Sequence, residues 1–394
     1  MNITIHPNKL SGTISAIPSK SQAHRLLICA AMADKPTDLY CSTVNNDIEC
    51  TVSCLCSLGA RIERTAYGYR IHPIENVPEC AILDCQESGS TLRFLLPLAA
   101  ALGVDTRFHM AGRLPQRPLS PLWEEMERMG CKLTYTAPNI LHCEGKLRPG
   151  EYVIAGNISS QFISGLLFAL SVLPGDSCIC VTGNLESKPY VSMTQAAMAV
   201  FGIMTENLKV ISGQKYLSPG TLKVEGDWSN GAFFLAAEAL GNRITVSNLN
   251  IASTQGDRIV FPVLQALDQF QTISAADIPD LVPILAVVAG AKQGAVFTDI
   301  ARLRLKESDR VESVLSMIRG LGGQAEASEN TLSVYGTGFA GGVVDSCNDH
   351  RIAMSAAIAA TVCRNPVTIL GAHSVNKSYP KFWEEYRRLG GIYE

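Results

Sequence analysis

The sequence predicts an α/β (α+β) protein of two domains, with three similar modules in each domain. Three observations support this prediction. The chain has 394 residues, and chains of this length usually fold into more than one domain, each with its own hydrophobic core. Six segments share one form, in which a short polar head leads into a run of small and apolar residues. Six amphipathic segments then end at a nearly constant distance beyond those heads.

Each polar head is typical of a capped helix start that leads into a buried, alanine-rich helix. The steps from one head to the next are 69, 71, 68, 53 and 69 residues. The fifth module therefore follows a shortened connection. The heads begin at Ser19, Ser88, Ser159, Asp227, Asp280 and Asp349.

The second helix of each module is predicted to stop 40 to 43 residues after the head. Glycine just past a helix is a common stop signal, and only the fourth module lacks it. Short alternating runs between the helices indicate strands. Three modules per domain divide the chain into a first domain of residues 14–225 and a second domain of residues 1–13 plus 226–394. The stops fall at Gly59, Gly130, Gly202, Phe270, Gly322 and Gly390.

Composition excludes several classes of protein. The net charge is −3 and 18% of residues are charged, so there is neither a nucleic-acid-binding stripe nor an acidic tail. The apolar runs are too short to span a bilayer. The 13 cysteines have no zinc-like spacing, which favours free thiols in a reducing cytoplasm. We expect a cytoplasmic, monomeric protein with no leader segment, metal or cofactor.

The polar heads also suggest anion binding. A helix amino terminus presents free N–H groups and the positive end of the helix dipole. Lys20, Arg25, Arg93 and Arg351 lie in or near such helix starts, where a cation is unfavourable unless an anion binds there. The alternative is that the polar residues only cap helices and that the cations are solvated.

The motifs that the sequence lacks narrow the chemistry further. It contains no P-loop, no dinucleotide-binding glycine motif, no H-E-x-x-H motif and no nucleophile elbow. The densest charged stretch is Lys306–Arg310, in which Asp309 is predicted to cap the following helix. These features favour transfer or elimination chemistry carried out by cations and a few carboxylates.

Ten motifs in order along the chain resemble the 5-enolpyruvylshikimate-3-phosphate synthase family. They are SKSQAHR at 19–25, SGSTLR at 88–93, LPQRP at 114–118, SSQF at 159–162, SKPY at 187–190, GDWSN at 226–230, PDLVP at 279–283, LRLKESDR at 303–310, DHRIAM at 349–354 and KSYP at 377–380. The resemblance implies a two-domain inside-out α/β barrel of six β-α-β-α-β-β repeats, with the active site in the cleft between the domains. It also implies transfer of the enolpyruvyl group of phosphoenolpyruvate to the 5-hydroxyl of shikimate 3-phosphate.

The resemblance also implies residue roles. Asp280 is the implied base for the 5-hydroxyl, and Glu307 is the implied proton donor to the methylene group, assisted by Lys20. The implied shikimate 3-phosphate ligands are Lys20, Ser21, Arg25, Ser159, Ser160, Gln161, Ser187, Asp280 and Lys306. The implied phosphoenolpyruvate ligands are Lys20, Gly89, Arg117, Gln161, Arg310, Arg351 and Lys377.

The sequence departs from the family pattern at Pro18, Glu87 and Arg302. Gly89 is kept, and its missing side chain predicts sensitivity to glyphosate, which mimics phosphoenolpyruvate in this family. One alternative is the sister enolpyruvyl transferase that acts on UDP-N-acetylglucosamine. That family has Lys-Asn where this chain has Lys20-Ser21, and it has a reactive cysteine in the loop that here reads Leu114–Pro118. A second alternative is a scaffold that binds anions without catalysis, although such a protein would need no acid–base pair.

Overall fold

The computed structural model describes residues 1–394, which form two compact units. Residues Lys20–Val224 form one, called here the central unit. Residues Met1–Ser19 and Glu225–Glu394 form the other, called the terminal unit. No helix in the structure is both long enough and apolar enough to span a membrane.

Twelve α-helices and 22 strands make up the two units. The helices are α1 (Lys20–Ala31), α2 (Asn46–Ser57), α3 (Gly89–Leu102), α4 (Leu122–Arg128), α5 (Ser160–Leu170), α6 (Lys188–Val200), α7 (Trp228–Ala239), α8 (Val260–Ala266), α9 (Val282–Ala291), α10 (Arg310–Gly320), α11 (His350–Ala360) and α12 (Phe382–Arg388). The strands are β1 (Ile3–His6), β2 (Ser11–Ser15), β3 (Thr37–Tyr40), β4 (Arg61–Thr65), β5 (Gly68–His72), β6 (Cys80–Gln86), β7 (Asp105–Met110), β8 (Cys131–Ala137), β9 (Ile140–Gly145), β10 (Glu151–Ala155), β11 (Ser177–Thr182), β12 (Thr205–Glu206), β13 (Lys209–Val210), β14 (Thr221–Lys223), β15 (Arg243–Ser247), β16 (Gln271–Ser274), β17 (Gly294–Thr298), β18 (Gln324–Ala327), β19 (Thr331–Tyr335), β20 (Gly342–Asp345), β21 (Val367–Leu370) and β22 (Ile392–Tyr393). Four 3₁₀ helices join them, at Leu114–Gln116, Gly256–Ile259, Ala301–Leu305 and Ala372–Lys377.

The central unit contains three four-stranded sheets, ordered β14-β3-β5-β4, β6-β7-β9-β8 and β10-β11-β13-β12. Each sheet begins with a parallel pair and continues with antiparallel pairs. Parallel strands need a crossover connection, and α3 and α5 supply it for the second and third sheets. Nearly every residue of α3 and α5 is buried, so apolar helices fill the interior of this unit.

The terminal unit repeats this plan with one difference. Two of its sheets have four strands, in the orders β16-β17-β19-β18 and β20-β21-β1-β22, and the third has only the parallel pair β15 and β2. The two-stranded sheet belongs to the module with the 53-residue step, which is too short to include the hairpin found in the other modules. The six-module prediction is therefore confirmed, with three modules in each unit.

The first boundary between the units lies later in the chain than the sequence predicted, and the second lies one residue earlier, before Glu225. Residues 14–19 were expected in the first domain, but they fall in the terminal unit. The reason is that β2 pairs in parallel with β15 from Ser11 to Ser15. Backbone hydrogen bonds then continue from Ala16 to Ser247 and from Ser19 to Glu225, which ties the segment to the terminal unit as far as α1.

Most of the predicted N-cap residues and glycine stops are found at the ends of helices. Ser88, Ser159, Asp227 and Asp349 each accept a backbone N–H as the N-cap of a helix, and Asp309 does so for α10. All five glycine stops have positive φ, which is the conformation expected of a glycine that ends a helix. Asp280 is an exception among the heads, because α9 starts two residues later with Leu281 at its N-cap. The Asp280 carboxylate instead contacts cations, as described below.

Candidate active site

The predicted site residues fall into two groups, one in each unit. The group in the central unit, called here the central cluster, contains nine of them. The group in the terminal unit, called the terminal cluster, contains the other six. The central cluster comprises Lys20, Ser21, Arg25, Gly89, Arg117, Ser159, Ser160, Gln161 and Ser187, and the terminal cluster comprises Asp280, Lys306, Glu307, Arg310, Arg351 and Lys377.

Lys20 begins α1, where its charge opposes the helix dipole. Its ammonium group donates a hydrogen bond to Asp47 Oδ2 at 2.8 Å, and both side chains are mostly buried. Asp47 lies in the first turn of α2, a common place for an acidic residue. Asp47 could not be singled out from the sequence, because only the packing of α1 against α2 brings the pair together.

Arg25 is buried and joins α1 to α6. Its Nε donates to Thr194 Oγ1 at 2.7 Å, and its Nη2 donates to the Tyr190 carbonyl at 3.0 Å. Burial lowers the pKa of this guanidinium to about 10, so it stays charged at neutral pH. Ser187, which directly precedes α6, is buried and has a left-handed φ of 53°. Arg25 therefore helps to fix the helix start beside a predicted ligand of shikimate 3-phosphate.

The amide of Gln161 is held by two partners. Arg93 Nη1 donates to Gln161 Oε1 at 2.9 Å, and Gln161 Nε2 donates to Ser90 Oγ at 3.0 Å. Arg93 Nη2 also donates to the Pro118 carbonyl at 3.0 Å. These contacts join the starts of α3 and α5 to the loop that carries Arg117. Arg93 and Ser90 belong to the SGSTLR motif, but neither is among the substrate ligands that the family resemblance implies.

Gly89 is the first residue of α3 and lies against two guanidinium groups. A Cβ at this position would be 2.6 Å from Arg117 Nη1 and 3.0 Å from Arg93 Nη1. The missing side chain therefore allows two arginines to approach the amino terminus of α3. Arginine pairs with phosphate or carboxylate oxygens through its planar fork, so this arrangement suits an anion.

A buried chain of hydrogen bonds connects α1, α2 and α3. His24 Nδ1 contacts Thr51 Oγ1, Thr51 Oγ1 contacts Thr91 Oγ1, and Thr91 Oγ1 donates to Ser88 Oγ, each at 2.7 Å. Burial, with the charges of Lys20 and Arg25, holds the pKa of His24 well below its usual value. The imidazole is therefore neutral, and it acts as an ordering element rather than as a charge.

In the terminal cluster, Arg310 bridges three carboxylates. Its side chain is 1% exposed. Nη1 donates to Asp280 Oδ1 at 2.6 Å, Nη2 to Glu307 Oε2 at 2.6 Å, and Nε to Asp349 Oδ2 at 2.8 Å. Burial alone would lower the pKa of Arg310, but the three negative charges outweigh it and raise the pKa well above its usual value. Asp349 also caps α11, so one guanidinium joins the starts of α10 and α11.

Asp280 is surrounded by cations. Besides Arg310, Arg351 Nη2 donates to its Oδ2 at 3.0 Å, and Lys306 Nζ lies 3.4 Å from its Oδ1. Burial would raise the pKa of Asp280, but the charges of Arg351, Lys306 and Arg310 hold it well below its usual range. In this state the carboxylate is ionised and is a weak base.

Lys306 lies in the loop before α10. Burial lowers its pKa to about 8, and the nearby charges of Arg310 and Arg302 contribute to that shift, while Asp280 opposes it. Arg302, one of the departures from the family pattern, is buried in the preceding 3₁₀ helix. Lys306 is therefore a cation whose charge is lost in the mildly alkaline range.

Lys377 is positioned by the loop before α11. Its ammonium donates to the Asn348 carbonyl at 2.8 Å, and Asn348 has a left-handed φ of 55°. This contact brings a fourth cation of the unit close to the start of α11. The structure thus assembles Lys306, Arg310, Arg351 and Lys377 within one unit, although they are spread over about 70 residues of sequence.

Two other groups of side chains have ligand atoms close enough together to hold a metal ion. They are Glu151 with Cys178 and Cys180, and Asp105 with His142 and Glu144. Neither group contains a predicted site residue. The two clusters described above combine helix starts, guanidinium and ammonium groups with carboxylates, which is an arrangement suited to anionic substrates and proton transfer.

Comparisons with known proteins show the family to which the chain is similar. The chain matches the EPSP synthase (3-phosphoshikimate 1-carboxyvinyltransferase) family over residues 5–386. It is 38% identical to the 3-phosphoshikimate 1-carboxyvinyltransferase of Clostridium beijerinckii over 427 aligned positions, covering 100% of this chain and 98% of that protein. The corresponding protein of Clostridium novyi is 37% identical, with 99% and 98% covered. Among solved structures, EPSP synthase from Acinetobacter baumannii superposes with a TM-score of 0.81 at 24% identity, over 100% of this chain and 99% of that one.

Proposed function

The chain belongs to the EPSP synthase (3-phosphoshikimate 1-carboxyvinyltransferase) family, and on that basis we propose how its two clusters carry out the reaction. The enzyme transfers the enolpyruvyl group of phosphoenolpyruvate to the 5-hydroxyl of shikimate 3-phosphate and releases phosphate, in the shikimate pathway of aromatic amino-acid biosynthesis. The observation that best supports the assignment of roles is the buried Asp280 carboxylate with cations on both of its oxygens.

We propose that the two clusters act together on the two substrates. Shikimate 3-phosphate is bound by the helix starts of the central cluster, with Asp280 and Lys306 of the terminal cluster. Phosphoenolpyruvate is bound by Arg117 and Gly89 of the central cluster and by the terminal-cluster cations. This proposal is supported by the family motifs, which assign residues of both units to each substrate, and by the cations at each helix start.

The addition step needs a base and an acid. In the proposed reaction the 5-hydroxyl oxygen bonds to the central carbon of phosphoenolpyruvate, and its proton passes to Asp280. Substrate oxygens that bind Arg351 and Arg310 draw these guanidinium groups away from Asp280, so its proton affinity rises when the substrates arrive. Substrate binding therefore increases the base strength of Asp280.

The methylene carbon takes a proton in the same step and becomes a methyl group. Glu307 is the proposed donor, with Lys20 assisting. Glu307 accepts a hydrogen bond from Arg310 at 2.6 Å in this structure, so it becomes an acid only after that guanidinium turns to the substrate. In the elimination step the methyl group loses a proton, the bond from carbon to the phosphate oxygen breaks, and the double bond re-forms as phosphate leaves.

The test is phosphate release from phosphoenolpyruvate, with shikimate 3-phosphate and UDP-N-acetylglucosamine offered in separate reactions without added metal. We expect release only with shikimate 3-phosphate. Release only with the sugar nucleotide would assign the chain to the sister enolpyruvyl transferases. Binding of shikimate 3-phosphate without release would favour the scaffold alternative.

We also propose that the enzyme acts as a monomer in the cytoplasm. One chain carries every residue that the family motifs require, so catalysis needs no second copy. All 13 cysteines are free thiols, which suits a reducing compartment. Sedimentation of the purified enzyme at the mass of two chains would contradict the monomer, and fractionation of the source cell tests the location.

A further inference from the structure

Two cysteines and a glutamate meet on the solvent-facing side of the third sheet of the central unit. Glu151 begins β10, and Cys178 and Cys180 lie two residues apart on the neighbouring strand β11. One ligand atom from each residue, a carboxylate oxygen and the two sulfurs, lies within 4.8 Å of the other two. None of the three belongs to the central cluster, and neither the family motifs nor the proposed reaction uses them.

Strand geometry explains why these three side chains meet. Side chains alternate between the two faces of a strand, so Cys178 and Cys180 share one face while Ile179 between them is buried. The parallel pairing of β10 with β11 places Glu151 beside Cys178. Tyr152, the next residue of β10, is paired with Ile179 and is also buried. One face of this strand pair therefore packs into the core, and the three ligand groups are left together on the other face.

The same cysteine spacing elsewhere in the chain does not bring two thiols together. Cys54 and Cys56 are also two residues apart, but they lie on helix α2, where residues i and i+2 do not face each other. Accordingly, Cys54 is buried and Cys56 is exposed. A search for zinc-like spacing could not find the group on β10 and β11, because its third member, Glu151, comes from another strand.

The three side chains already interact with one another. The Cys180 thiol is hydrogen-bonded to the Glu151 carboxylate and to Cys178. Desolvation by the surrounding atoms, followed by the hydrogen bond to Glu151 and its negative charge, raises the pKa of Cys180. The carboxylate and the two sulfurs thus share protons at one point on the sheet, which a bound cation can replace.

Two basic side chains lie near this group, and each has an acidic neighbour. Arg128 Nη2 donates to Glu125 Oε2 at 2.7 Å and to a backbone carbonyl of β10 at 2.5 Å. Lys209 on β13 lies opposite Cys178, and Glu206 on β12 lies opposite Lys209. Because each basic group faces a carboxylate, the two together oppose a bound cation only weakly.

We propose that Glu151, Cys178 and Cys180 form a zinc site, in which two thiolates and one carboxylate bind the ion and a water molecule completes a tetrahedron. Zinc accepts this combination of ligands. Bonds of about 2.3 Å to sulfur and about 2.1 Å to oxygen separate the ligand atoms of a tetrahedron by about 3.6 to 3.8 Å. Atoms that already lie within 4.8 Å reach this spacing by shifts of no more than about 1 Å. Each thiol releases its proton to solvent as it binds.

A disulfide is the other bond that two neighbouring thiols can form. Residues i and i+2 of an extended strand are about 6.6 Å apart, which is near the upper limit of the Cα separation in disulfides. Their Cβ bonds also run side by side rather than toward each other. A zinc ion leaves the two sulfurs about 3.8 Å apart, whereas a disulfide requires about 2 Å. The strand therefore favours the metal over the disulfide.

The bound ion joins an edge strand to its neighbour. β10 lies at one edge of the sheet β10-β11-β13-β12, so only one of its sides has a strand partner. A ligand that binds the folded protein and not the unfolded chain stabilises the fold. We therefore expect zinc to raise the thermal stability of the enzyme without entering the reaction.

The experiment titrates Zn²⁺ into the purified, reduced enzyme in competition with a chromophoric chelator. The ultraviolet charge-transfer band of bound Cd²⁺ is a second probe, because it reports thiolate ligands directly. We expect one ion per chain, a Kd of about 1 μM or lower, and a melting temperature that rises with Zn²⁺. Cys178→Ser, Cys180→Ser and Glu151→Gln should each weaken binding by at least about tenfold, since loss of a group that only supports a ligand already costs that much.

The matched control is Cys56→Ser, which removes the exposed thiol of the other cysteine pair and should leave the affinity for Zn²⁺ unchanged. Glu151→Gln keeps both thiols and the shape of the side chain, so it tests the site even if a cysteine variant fails to fold. All four variants should release phosphate at the wild-type rate, because none alters either cluster. Wild-type enzyme that binds no ion, binding without a thiolate band, or binding that Cys56→Ser weakens as much as Cys178→Ser overturns the proposal.

Discussion

Gly89→Ala tests whether the amino terminus of α3 is shaped for an anion held by Arg117. The added Cβ would lie 2.6 Å from Arg117 Nη1, whereas ordinary contact between such atoms is about 3.5 Å. The guanidinium must therefore retreat by roughly 0.9 Å, and Arg93, at 3.0 Å, must also yield. Both neighbours are the ends of flexible side chains, so the fold tolerates the change.

The expected consequence is a loss of binding with little loss of stability. A displacement approaching 1 Å in a positioned group costs up to about 100-fold in catalysis. We expect the KM for phosphoenolpyruvate to rise by about tenfold, equivalent to about 1.4 kcal/mol. Inhibition by glyphosate should weaken at least as much, because the inhibitor is proposed to occupy the same place.

The assay is initial-rate phosphate release over a range of phosphoenolpyruvate and glyphosate concentrations, together with thermal unfolding of both proteins. The matched control is Gly231→Ala in α7, where the atoms nearest the added Cβ belong to the apolar side chain of Leu249, at 3.3 Å, and where both kinetic constants should stay unchanged. A Gly89→Ala enzyme with wild-type KM and wild-type inhibition would refute the reasoning about Arg117.

Three further predictions follow from the ion pairs. Arg310→Lys should lower the free energy of unfolding by about 3 kcal/mol and kcat/KM by about 100-fold, because one ammonium group cannot replace three N–H contacts to buried carboxylates; denaturant unfolding with unchanged stability would contradict this. Lys306, with its pKa lowered to about 8, is charged below that pH and neutral above it, so the KM for shikimate 3-phosphate should rise above about pH 8. Lys306→Met should show a high KM that no longer changes across this range, and an unaltered pH profile would count against the assignment. Asp47→Asn should lower kcat by about tenfold because Lys20 loses its anionic partner. Because both side chains are mostly buried, it should also lower the free energy of unfolding in urea by about 2 kcal/mol; a loss of stability with unchanged kcat would show that Asp47 is only structural.

Local chemistry explains why the sequence predicted so much of the fold. Ser88 and Asp349 cap helices through backbone groups within three residues, and Gly202 takes the positive φ that ends a helix. Such signals need no distant partner, so their repetition revealed six modules. The boundary near residue 19 was placed too early because the pairing of β2 with β15 joins residues more than 230 positions apart.

The site shows the same difference between local signals, which the sequence reveals, and contacts between distant segments, which it does not. Motif resemblance identified the cations and two carboxylates, but it gave no role to Asp47 or Arg93. Each of these is defined by a partner on another element: Lys20 for Asp47 and Gln161 for Arg93.

The sequence by itself determined most of the helix starts and stops that caps and glycines mark, and which residue types could bind anions. Only the tertiary structure decided that Arg310 joins Asp280, Glu307 and Asp349. The physical reason is that capping and helix stops depend on neighbours a few residues away. Burial and ion pairing depend instead on segments that meet only when the core has packed, and these two effects set the protonation states on which the chemistry depends.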